Sequence, residues 1–295
     1  MRQRIELWKR IYDTDDNAIS KALSKLAWDL AAFTCVVDMV RQARQGEGGA
    51  RLNGMVVEML VSGFWSNTMQ GVRRLAERET IHGLRGVCSI GGLLKDARDA
   101  RHQITRRVFV QDIAGLDYNY AVIEDRYWQF VLAKPHNQGV WVPREIDPDP
   151  SKERHALFDW LSGSTPATSH PDDVIREEVF DVLDQRLARL DGVVEHVNVQ
   201  IAHAATEFSR TGRVLQQWNL DDAKAAIKEL TQIAQLVGEW FCFSGVGTVL
   251  PHPQFDQFAH LDQPFFTGER GLLQATWDAL EAEIGQWHDI DYRAL

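Results

Sequence analysis

The sequence predicts an all-α protein, a bundle of long antiparallel helices with an irregular Pro-rich insertion. Three observations carry that expectation. Apolar residues recur at helical spacing over long runs, strand-like alternation is absent outside residues 140–142, and six of the nine prolines fall between residues 134 and 173.

The first stripe is Ile19, Leu23, Leu26, Leu30, Phe33, Val37 and Val40, which steps by 4-3-4-3-4-3 along one helix face. Further on, Lys95, Arg98, His102 and Arg106 have the spacing of a single basic helix face. Ser89 before Ile-Gly-Gly-Leu-Leu is a weak candidate N-cap, because Gly91 and Gly92 disfavour a first turn. Residues 134–173 read as an excursion inside one domain spanning 1–295, with a short helix, HALFDWL, between its Pro-rich arms.

The longest stripe runs from Ile175 through Leu183, Leu190, Val197 and Ile201 to Phe208. One helix over such a run, roughly 37 residues, spans about 55 Å at 1.5 Å per residue, so a break near Gly192 is expected. Asn219, with Asp222 three residues on, forms a capping-box-like start. The helix that follows carries Ala223, Ile227, Leu230, Ala234, Val237 and Phe241, and a last stripe holds Leu273, Trp277, Leu280, Ile284 and Trp287. Core packing rather than base stacking explains the tryptophans on these stripes, while Trp141 stands apart in a loop.

Composition narrows the function classes. At 44% hydrophobic and 25% charged residues, disorder of the whole chain is not expected. The start MRQRIELWKR lacks the apolar core of a secretory signal. IAQLVGEWFCFSGVGTVL contains Gln235 and Glu239 and reads as a core helix, so no membrane association is expected. Cys35, Cys88 and Cys242 lie far apart without CxxC spacing, which suits a reducing cytoplasm. No metal or other cofactor is expected: no HExxH, Gly-rich phosphate loop or GxSxG elbow is present.

A net charge of −10 speaks against general nucleic-acid binding, yet residues 73–107 hold nine basic side chains against four acids. Within that segment Lys95, Arg98, Arg101, His102 and Arg106 form either a grip for an RNA backbone or a solvated face.

The remaining candidate lies in EHVNVQIAHAATE, residues 195–207. With Val194, Val197 and Ile201 toward the core, His196, Gln200, His203 and Glu207 form a stripe nearly opposite, at 100° per residue. It faces water or another protein surface. A metal site is disfavoured because Gln200 is the i+4 partner of His196.

Three stretches resemble the HEPN superfamily, and more narrowly its abortive-infection U-type branch. They are FWSNTMQGVRRLAERE (64–79), CSIGGLLKDAR (88–98) and EHVNVQIAHAATEF (195–208). The resemblance implies a bacterial defence or toxin–antitoxin protein that acts on RNA as a homodimer without metal. In that family an Arg, four residues before a His, holds the scissile phosphate while the His moves protons. His203 matches the family's His, but Asn198 stands where the Arg belongs. Asn198 donates to a phosphate oxygen without charge, so a cation from elsewhere, the basic stripe or Arg210, would have to substitute. The alternative is a catalytically inactive HEPN-like module that binds a cognate protein partner or a nucleotide.

Overall fold

The computed structural model describes residues 1–45, 53–134, 141–197, 218–260 and 268–287. It divides into two units, Met1–Pro251 and His252–Leu295. The described residues are all-α, with one isolated bridge, Thr105 to Val174, and no strand. Trp141 and Val142 lie in a loop, and Val140 lies outside the described residues.

Unit 1 is built around α4 (Ile90–Asp99), whose Ile90, Leu93, Leu94 and Ala97 are buried. Ser89 caps it, accepting from the Gly92 amide at 3.1 Å. The two glycines that counted against this cap are what the packing requires. A Cβ on Gly91 would stand 2.6 and 2.7 Å from the Glu77 and Ala76 carbonyl oxygens. The first turn of α4 therefore sits directly on the chain leaving α3 (Gly54–Ala76).

The α2 helix (Ile19–Gln45) packs on α3, and Gly71 sets their approach: a Cβ there would meet Leu26 Cδ2 at 2.8 Å. Phe33 and Phe64 stack across the same interface at 4.0 Å. Against α2, α3 and α4 lies α9 (Leu220–Val237). Its Asn219 and Asp222 make the expected capping box. The α1 helix (Arg2–Lys9) closes the core with Trp8, whose indole N–H donates to buried Asp96 at 2.8 Å.

The Pro-rich region contains more core than its sequence suggests. Its helix is α6 (Asp149–Ser162), with Pro150 in the first turn and left-handed Gly163 at its end. It buries Phe158, Leu161 and Arg154. Arg154 donates to the Phe109, Glu239 and Trp240 carbonyls at 3.4, 2.7 and 2.9 Å. Those acceptors belong to two π-helical turns, Val108–Ile113 and Gly238–Cys242. Burial drives the Arg154 pKa down, and the carbonyls offset part of the lost hydration.

The long run after Ile175 breaks as expected, two residues before Gly192: α7 (Glu177–Ala188) and α8 (Asp191–His196) flank a turn at residues 189–190. Residues 233–250 do not form a spanning helix either, since α9 gives way at Gly238 to a π-helical turn that ends at Cys242. No helix among the described residues is long and apolar enough to cross a membrane.

In unit 2, α10 (Arg270–Gln286) carries Leu273, Trp277, Leu280 and Ile284, with Trp287 just beyond. All five are exposed, which corrects the expectation that Trp277 and Trp287 are core residues. The unit has no other described helix to cover them.

Candidate functional site

The basic stripe is not one helix face. α4 ends at Asp99, and a 3₁₀ turn, Arg101–Gln103, redirects the chain before Arg106. Lys95 is exposed, 4.0 Å from Asp99. Arg98 is clamped by Glu177, Asp181 and Asp184, which stand at i, i+4 and i+7 on α7. Arg101 bonds Glu177 at 2.8 Å and the Ile175 carbonyl at 3.1 Å. His102 is exposed beside Arg101. Arg106 is 1% exposed, between Asp159 at 2.6 Å and Asp173 at 3.1 Å. The local surplus of cations is thus engaged by acids from α6, α7 and the loop between them.

Asn198, His203 and Arg210 lie outside the described residues, which end at Val197 on this side. The approach to them is clear. α8 packs on α3, with Val193 and Val197 buried as a core face requires. His196 is only half-buried rather than outward, and its Nδ1 is shielded from solvent without a hydrogen-bond partner among the described residues.

A cleft of about 420 Å³ opens beside this junction, bordered by Lys25, Asn67, Gln70, Arg73, Arg74 and Val197. The Nε atoms of Arg73 and Arg74 are buried there, with no hydrogen-bond partner among the described residues. Among those residues the one ion pair of Arg73 is weak, 3.9 Å to Glu77. Sequence reading missed this cleft, although the signal was present. Asn67, Gln70 and Arg74 recur at i, i+3 and i+7 within the otherwise apolar FWSNTMQGVRRLA.

Other reactive groups are structural. Burial pushes the Cys88 thiol up to about 11 and that of Cys242 higher still, so neither is a ready thiolate. Asp96 orients His82 through a 2.7 Å contact while also holding Trp8, which ties the loop after α3 to α1. No group of three or more His, Cys, Asp or Glu among the described residues could hold a metal ion.

Comparison with known proteins finds no matching family model, no matching curated protein and no matching solved structure.

Proposed function

We propose that this chain is a cytoplasmic, HEPN-like defence or toxin-type protein that acts on RNA as a homodimer. In this reading His203 is the acid/base that moves protons at the 2′-hydroxyl or the leaving oxygen, and Asn198 donates to the phosphate. The observation that supports it is a juxtaposition. The three stretches that carry the resemblance lie far apart in sequence, yet α3 packs on both α4 and α8. At that junction Arg73 and Arg74 line the cleft that ends at Val197. A guanidinium there supplies the charge that Asn198 lacks. Arg98, Arg101 and Arg106, already bound to carboxylates, are poorer candidates for a phosphate.

A second reading, an inactive HEPN-like module for a cognate protein or nucleotide, is favoured by the Asn at position 198. One experiment separates the two. The chain, its His203→Ala variant and an Arg73→Ala/Arg74→Ala variant are incubated with total RNA and tRNA in EDTA, with mass measured by light scattering. Nuclease action predicts metal-independent cleavage that disappears in His203→Ala. It should also fall about 100-fold in the double variant, the scale of losing one transition-state donor. A folded dimer that leaves RNA intact favours the binding module.

A further inference from the structure

A second pocket, of about 630 Å³, opens where α5 (Tyr120–Leu132), α6 and the loop after α6 converge. That volume is in the range of small-molecule sites. No residue of α3 or α8 borders it, so it is distinct from the cleft described above.

Its upper walls are aromatic. Tyr118 and Tyr120 meet the His155 ring edge-on, with centroids 4.7 and 5.3 Å away. His155 is half-buried, not solvated as its Pro-rich neighbourhood would suggest. Its Nε2 lies 2.9 Å from the Tyr118 carbonyl oxygen, which can only accept, so the proton sits on Nε2. Burial lowers the His155 pKa and keeps the ring neutral near pH 7, with Nδ1 as an acceptor.

The deep side is polar and incompletely satisfied. Arg106 Nη1 donates to the His155 carbonyl at 3.3 Å, and Nη2 to Asp173 at 3.1 Å. Its Nε is buried with no hydrogen-bond partner among the described residues, and so is Asp159 Oδ1. The latter touches Arg106 Nη2 at 2.6 Å as an ion pair, but not in hydrogen-bonding alignment. Buried polar atoms are nearly always paired. An orphaned donor beside an orphaned acceptor at the end of a pocket calls for a ligand edge that presents an acceptor next to a donor.

Charge decides what kind of ligand that is. Arg106 is already set between two carboxylates, and Lys152 is bonded to Glu124 at 2.6 Å. Little unspent positive charge is left to hold a phosphate. The flat walls and the donor–acceptor pair match a heteroaromatic ring instead.

We infer that this pocket binds an amino-bearing nucleobase, adenine or cytosine, stacked on the tyrosine side. The ring nitrogen accepts from Arg106 Nε–H, and the exocyclic amino group donates to Asp159. The base arrives on a free nucleoside or nucleotide, or as an unstacked base of single-stranded RNA. This inference does not depend on the nuclease reading.

Calorimetric titration of the full chain tests it, using adenosine, cytidine, uridine, AMP, ribose 5-phosphate and short oligoadenylate and oligouridylate. Adenosine or cytidine should bind more tightly than uridine, and AMP about as tightly as adenosine. Tyr120→Ala, at a partly exposed position, should weaken binding about tenfold or more, the scale of losing one stacking partner. Asp159→Asn should narrow the preference over uridine. His203→Ala should bind like the native chain. Binding of the free nucleosides assigns a small-molecule source, whereas binding of oligoadenylate alone assigns an unstacked RNA base. The inference is overturned if uridine binds equally, if ribose 5-phosphate binds as well as AMP, if Tyr120→Ala changes nothing, or if the folded chain takes up none of these probes.

Discussion

Asp173 shows how one side chain fixes a loop. It accepts from the His170 amide, the Ser164 hydroxyl and Arg106 at 2.8, 2.9 and 3.1 Å. Burial alone would raise its pKa, but these donors outweigh it and hold the carboxyl below its ordinary value. A carboxylate depressed by folding adds stability that is complete above its unfolded pKa, about 3.9, and is lost as pH falls through the folded value. Asp173→Asn should therefore melt lower than the native chain at pH 6, and the gap should close by about pH 3. A gap independent of pH would show that geometry, not ionisation, is what Asp173 supplies. The sequence announced both Arg106 and Asp173 as charges. It did not announce their pairing, because 67 residues separate them and only the loop between α6 and α7 brings them together.

At the scale of elements, the first turn of α4 sets local preference against packing. Ala exceeds Gly in helix propensity by about 1 kcal/mol, so Gly91→Ala would stabilise an isolated helix. Here the added Cβ meets two backbone oxygens below 3 Å, and neither can swing aside. Overpacking of this kind costs about 1–3 kcal/mol. A net loss of about 1–2 kcal/mol is expected from urea unfolding, and a gain would show that the segment joining α3 to α4 yields. The same conflict explains why Ser89 read as a weak cap. The glycines serve the neighbouring chain rather than their own helix. The end of α4 was illegible for a different reason. Neither Gly nor Pro follows Asp99, so the basic spacing ran on unbroken through Arg106. By contrast, Asn219 and Asp222 act within one turn, and local chemistry of that kind is readable from sequence alone.

For the whole molecule, periodicity revealed the all-α class because core-facing stripes are a property of each helix. It could not say which stripes find a cover: those of α2 and α9 do, whereas that of α10 is exposed. Nor could prolines on either side of α6 reveal that Phe158, Leu161 and Arg154 lie in the core. Arg154 also bears on the order in which the chain folds. Its acceptors lie 45 residues before it and 85 after it, on two separate turns. Until both turns are in place, dehydrating the guanidinium is all cost, so the contact belongs to the late, native side of the folding barrier. Interactions absent from the transition state act on unfolding rather than folding. Arg154→Met should therefore speed unfolding in a denaturant jump and leave the refolding rate nearly unchanged. Equal effects on both limbs would place this junction in the nucleus instead. Arg154 thus works as a latch, closing last and governing how long the native state persists.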